Sequence, residues 1–160
     1  MMTHTSDTPL LAWFQQQQTA PGWFDLLSVM IDGMVSNVGE AESLPFLRQM
    51  GDAMAERTPL LPSETVGELE ANINAQLALF NWGFIDIDTR DDGLAFRHQG
   101  LPVAREEAHR KRWCFAFCAV LEGMYTRWMQ EQGGAAGLVF TRERLYSVSD
   151  VLFRYANPSE

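Results

Sequence analysis

The chain has 160 residues, a mass of 18.1 kDa, 46% hydrophobic and 11% aromatic residues, and a formal net charge of −9. Five Trp and ten Phe exclude a disordered, solvated polymer; a domain of this size buries about 69% of its unfolded surface, enough for a core without metal or disulfide staples. The acidity excludes duplex nucleic acid as a default partner, because counterion release needs a basic face. No apolar run reaches the roughly 20 residues of a membrane-spanning helix, so no membrane insertion is expected.

Charge is unevenly spread. Fourteen acids and three bases precede Arg97, while seven acids and nine bases follow from it, so the first part carries −11 and the second +2. Parts of opposite sign attract within one fold or between copies of it, although ordinary solvated faces are the plainer account of the split taken alone. Eleven of the twelve bases are Arg, which suits planar, hydrogen-bonded contacts.

Residues 1–20 read as an N-terminal extension ahead of a single domain over 21–160. Leu10-Leu11-Ala12-Trp13-Phe14 and the glutamines that follow are too few to fold alone. They are expected to follow a neighbouring subunit or stay partly disordered, and deleting them should leave the fold intact. Trp13 and Phe14 would stack on sugar faces or plug a partner groove, with Gln15 and Gln16 bonding hydroxyls; docking of this segment on its own domain is an equal alternative. The segment lacks a basic region, and its apolar stretch is too short for a signal sequence.

From Trp23 the spacing turns helical: Trp23, Leu26, Leu27, Met30, Ile31 and Met34. A second helix is expected from Ser43-Leu44-Pro45, with Pro in the first turn and Phe46, Leu47, Met50 and Met54 as its stripe. Ser63 is the expected N-cap of a third helix with Val66, Leu69, Ile73, Leu77 and Phe80 inward, and Gly83 suits a left-handed cap behind it. The period then becomes two. Phe84, Ile85 and Ile87 alternate with Asp86 and Asp88, Asp91-Asp92-Gly93 signals a hairpin, and Leu94, Phe96 and His98 continue the second strand. The charged segment Arg105–Arg112 feeds a long helix, roughly Trp113 to Gln132, whose stripe is broad enough for burial on more than one side. Leu138–Phe140 and Val148–Tyr155 form the last two strands. Helices, hairpin, long helix, hairpin make an α+β domain with antiparallel strands.

Candidate chemistry is sparse. Cys114 and Cys118 lie four apart on an apolar helix, where a disulfide is geometrically disfavoured, and they read as small buried residues of a protein in a reducing, cytoplasmic setting. Only three His are present, too few for an obvious zinc set. His98 reads as a structural hydrogen-bonder. Glu122, inside an apolar helix, needs an Arg partner or an edge position, because a lone buried carboxylate is costly; Arg127, five residues on, is poorly spaced for it. Trp82, Tyr125 and Trp128 read as core or dimer seam. No phosphate-cradle, nucleophile-elbow or zinc-helix motif is present, so the residues favour binding or assembly over catalysis, and no metal or cofactor is expected.

Two stretches carry more than a pattern. One runs from Val66-Gly67-Glu68-Leu69-Glu70 through Asn81-Trp82-Gly83 to His98-Gln99-Gly100-Leu101-Pro102; the other is Leu121-Glu122-Gly123-Met124-Tyr125-Thr126-Arg127-Trp128 with Gln132-Gly133-Gly134 behind it. In combination they resemble the cellulose synthase operon protein D family, from about Trp23 to Tyr155, with Met50-Gly51 and Arg57 in keeping. A Leu-Glu-Gly helix followed by two strands is distantly similar to the 4-vinyl reductase and TRAPP-like domains. The family resemblance implies a non-catalytic cytoplasmic subunit of bacterial cellulose secretion, a dimer assembled into a closed octamer. It would order β-glucan strands or scaffold synthase complexes through a partner protein, and scaffolding is the expectation favoured. Two other classes stay open: an acidic, dimeric secretion chaperone, and a small-molecule sensor with an apolar pocket between long helix and hairpins.

Overall fold

Two β-hairpins separated by one long helix meet in a single sheet. The computed structural model describes residues 22–158 together with Leu10, Trp13 and Ala20. Among these lie helices α1 (Trp23–Val38), α2 (Glu40–Arg57), α3 (Val66–Phe80) and α4 (Glu107–Glu131), and strands β1 (Phe84–Arg90), β2 (Gly93–Gln99), β3 (Val139–Ser147) and β4 (Asp150–Ala156). α4 stands between the two hairpins in sequence. The sheet order is β1-β2-β4-β3, every neighbouring pair antiparallel, so the α+β expectation holds.

Strand alternation sorts the sheet into two faces. Ile85, His98 and Val151 form one register row, Ile87, Phe96 and Phe153 the next, and Leu94, Tyr155 and Phe140 a third. These rows share one core with Leu121, Met124, Tyr125 and Trp128 of α4. α2 packs on α4, with α1 against both, and α3 lies along β1. The other sheet face carries charge. Arg97 grips Asp150 with two hydrogen bonds of 3.0 and 2.8 Å and lies 4.4 Å over the Tyr146 ring, Arg90 pairs with Glu143, and Arg154 with Asp92.

Several boundaries differ from the sequence expectation, each for a local reason. α2 begins at Glu40, so Pro45 sits inside it: Gly39, at φ +85°, breaks the chain direction, and Glu40 and Glu42 favour the positive helix start. α3 is capped by Thr65, whose Oγ1 accepts from Glu68 N at 3.1 Å while the Glu68 carboxylate accepts from Glu64 N at 2.8 Å. Ser63 instead donates its N–H to Gln132 Oε1. The left-handed cap of α3 is Asn81, at φ 61°, not Gly83. α4 starts at Glu107, absorbing most of the charged segment, and Arg110 Nε bonds back to the Ala104 carbonyl at 2.9 Å. Leu138 and Val148 fall just outside the strands.

α1 covers little of its apolar surface. It buries Phe24 and Val35, while Trp23, Leu26, Leu27 and Met30 of the sequence stripe are exposed. The same happens on α2, where Leu47, Gly51 and Ala55 face inward and Phe46 and Met50 do not.

Candidate assembly surface and the motif network behind it

His98 ties three elements together. It is fully buried on β2, with Nε2 2.6 Å from the Trp82 carbonyl and Nδ1 2.5 Å from the Tyr125 hydroxyl. A carbonyl only accepts, so Nε2 carries the proton and Nδ1 receives the Tyr125 O–H, which makes the imidazole neutral. Burial pulls His98 from its ordinary 6.5 down to about 4 and pushes the Tyr125 hydroxyl well up. With both ring nitrogens bonded inside the core, His98 stands as a structural hydrogen-bonder.

The rest of the motif residues are equally occupied. The Trp82 ring, partly buried, lies 4.7 Å from Phe80 and edge-on to Phe117 at 4.9 Å. Gly83 has φ +87°, and a Cβ there would lie 2.0 Å from the Gln99 carbonyl oxygen, so only glycine lets this turn touch the end of β2. Leu101 is buried, and the Pro102 carbonyl accepts the Trp113 indole N–H at 2.9 Å. Trp128 donates its own to the Thr58 carbonyl, also at 2.9 Å. Leu121 is core. Arg127 pairs with Asp52 and Glu131. Glu122, buried, finds its arginine on α2: Arg48 Nε donates to Oε1 at 3.1 Å. Gly123 and Gly51 let α2 and α4 touch backbone to backbone, since a Cβ at Gly123 would lie 1.9 Å from the Arg48 carbonyl oxygen and one at Gly51 1.8 Å from that of Val120.

Side chains occupy part of each outer edge of the sheet, which sequence reasoning missed. On β1, Asn74 of α3 accepts from Ile85 N at 2.7 Å and donates to Ile85 O at 3.0 Å, and the Glu70 carboxylate accepts from Ile87 N at 2.8 Å. On β3, Thr126 Oγ1 accepts from Phe140 N and the second oxygen of Glu122 accepts from Arg142 N at 2.7 Å. Sheet edges otherwise recruit foreign strands. The available signal was polar residues next to core positions of two helices, Asn74 beside Ile73 and Glu122 beside Leu121.

Much of the exposed apolar surface is helical, with Leu61, Phe84, Leu145 and Tyr146 exposed outside the helices. Trp23, Val29 and Met30 of α1 are 74%, 66% and 60% exposed. Leu10 and Trp13, both helical, are also more than half exposed, whereas Phe14, Gln15 and Gln16 lie outside the described residues, as does most of the proposed extension. The space a sensor pocket would need between α4 and the sheet is filled by Phe96, His98, Tyr125 and Phe153. Open depressions of about 240 and 390 Å³ lie instead between α2, α4 and β3, around Arg48, Glu122 and Thr141. Among the described residues no group of three or more His, Cys, Asp or Glu is placed to hold a metal, and no helix is long and apolar enough to cross a membrane. Cys114 and Cys118 are buried and unbridged, Sγ to Sγ 3.9 Å.

The family model for the D subunit of cellulose synthase matches residues 9–156. The chain belongs to that family. The match takes in the two motif stretches and reaches back past Trp23 into the segment read as an extension. Relatives named Cellulose synthase operon protein D include one from Komagataeibacter xylinus, 36% identical over 100 residues, and one from Komagataeibacter sucrofermentans, 37% identical over 101 residues; each alignment covers 61% of this chain. The chain spans 63% of the length of these curated relatives. The family-like strings, as they stand here, are the ones that weld α3, β2 and α4 together.

Proposed function

We propose that the chain is a non-catalytic accessory subunit of bacterial cellulose synthesis and secretion. It self-associates as a dimer that builds a closed octamer, works in the cytoplasm, and scaffolds synthase complexes so that their glucan strands are laid down together. Family membership supports the pathway. The scaffold reading is carried by one observation: α1 leaves much of its apolar surface uncovered, while the chain's own side chains occupy Ile85 and Ile87 at one sheet edge and Phe140 and Arg142 at the other. A protein that partly caps its sheet edges yet keeps a greasy helix face open is suited to a finite, face-to-face assembly. Identical sites repeated around such a particle hold partners by avidity, so each single contact with another secretion subunit stays weak. Trp13, more than half exposed, is the described residue through which a sugar face or a partner groove would be met.

Light scattering on purified protein tests this reading. A mass of several copies at micromolar concentration is expected, and a monomer overturns the scaffold. In a cellulose-producing cell, removing the gene should lower or disorder the cellulose made, with glucan synthesis by isolated membranes unchanged. Glucosyl transfer by the purified chain itself would overturn the non-catalytic assignment.

A further inference from the structure

Glycine inside a helix costs about 1 kcal/mol relative to alanine, so its presence calls for a reason. On α2 and α4 the reason is visible: Gly51 and Gly123 sit where the two backbones touch. α1 has one too. Among the described residues, a Cβ added at Gly33 would meet no atom within 4 Å. Gly33 also falls on a regular seam, because Trp23, Leu26, Met30, Gly33 and Asn37 recur at spacings of 3, 4, 3 and 4. That is the period of two helices packed along each other, with an Asn at a seam position that sets register. The seam faces outward, flanking the stripe of Phe24, Ile31 and Val35 by which α1 docks on its own chain.

We infer that α1 packs on α1 of a second copy of this chain, in an isologous helix crossing whose point of closest approach is Gly33; the inference rests on the self-assembly proposed above and names its surface. Area supports a second copy as occupant. The exposed apolar residues of α1 leave on the order of 600 Å² open, the top of the range for the largest patch of an ordinary monomer and most of the roughly 800 Å² that one partner gives a standard interface. Charge disfavours a lipid surface: the ionisable residues of α1 are Asp25 and Asp32, Glu40 and Glu42 follow at once, and anionic headgroups repel them. Symmetry adds a specific consequence, since a residue near a two-fold axis lies close to its own copy.

Single-cysteine crosslinking of the full chain reads this directly, because native Cys114 and Cys118 are each only 2% exposed. Gly33→Cys and Met30→Cys are expected to give disulfide-linked dimers under mild oxidation, and Leu79→Cys, on exposed α3 surface, is not. Met30→Glu, which would bury an unpaired charge, is expected to raise the dimer dissociation constant at least about 100-fold. A multi-copy mass with crosslinking at neither α1 position, or one unchanged by Met30→Glu, overturns the α1 seam and leaves the self-assembly reading standing. A monomeric mass for the unmodified chain overturns both.

Discussion

Helices α1 and α4 are both rich in apolar residues, and the chain treats them oppositely. α4 is buried from Trp113 to Met129, wedged between the sheet and α2, and even its carboxylate at Glu122 is spent on a backbone N–H and an arginine. α1 fully buries only Phe24 and Val35, half-buries Ile31 and Met34, and exposes Trp23, Leu26, Leu27, Val29, Met30 and Val38. Apolar content does not separate them. What does is the covering element: α4 has glycine contacts that draw α2 onto it, whereas the glycine of α1 faces nothing among the described residues. An apolar stripe therefore tells that a face will be covered, and the position of small residues tells how closely, but neither tells by which chain.

The sharpest way to break the α4 side is to add one methyl at the crossing. Gly51→Ala or Gly123→Ala places a Cβ within 2 Å of a carbonyl oxygen of the facing helix. No rotamer relieves a backbone clash, so the helices must part. The expected loss is at or beyond the upper end of the ~1–3 kcal/mol that overpacking costs. Urea midpoints check it. The two substitutions strain the same crossing, so together they should lose less than the sum of the singles.

Next in size is the acid response of His98. Its value in the fold is about 4, below the ordinary 6.5 that applies when unfolded. The unfolded chain thus takes the proton first, and the contribution of the neutral imidazole is complete above about pH 6.5 and lost as pH falls through 6.5 towards 4. The gap corresponds to about 3 kcal/mol. Unfolding free energy measured at pH 7.5, 6, 5 and 4 should follow that curve, and His98→Gln should flatten it between pH 6.5 and 4. A wild-type curve flat over that window would mean that His98 is not held neutral.

Much of this was legible in the residues. Period two over Phe84–Ile87 and the Asp91-Asp92-Gly93 turn located the first hairpin because a half-buried strand must alternate. The broad apolar stripe through Cys114, Cys118, Leu121, Tyr125 and Trp128 located α4, whereas the bonds that join His98 to Trp82 and Tyr125 appear only in the fold. The seals on the sheet edges were not legible: Asn74 meets Ile85, and Thr126 meets Phe140, only once the strands are placed, and no local spacing encodes that pairing. Which part of the α1 apolar arc its own chain covers was hidden for the same reason, since the arc is wider than that part. The cap of α3 was legible in principle, because Thr65-x-x-Glu68 spells a capping box that outweighs Ser63 two residues earlier.

Asn74→Ala should come third. It removes two hydrogen bonds to Ile85, each worth about 1 kcal/mol net, and leaves a strand edge unpaired. A loss of about 2 kcal/mol is expected, with increased aggregation in light scattering as the β1 edge opens. Asn74→Asp keeps the acceptor and loses the donor, so it should fall about halfway. If Asn74→Ala costs stability without any rise in aggregation, the seal holds the fold together but does not guard it.

The smallest effect bears most directly on the contrast between the helices. In a chain kept monomeric by Met30→Glu, adding Gly33→Ala should raise stability by about 1 kcal/mol, because the helix gains propensity and the new methyl meets no atom among the described residues. The monomeric background matters, since in an assembling protein stability and association are inseparable. In the assembling chain the same methyl stands at the crossing and should weaken association, so Gly33→Ala is expected to change sign between the two backgrounds. The crossing glycines of α2 and α4 permit no such reversal, because their partner helix belongs to the same chain and is present in every state of the folded protein. A Gly33→Ala that destabilises the monomer as well would place a contact over Gly33 from within the chain, and the difference between the two helices would shrink to one of degree.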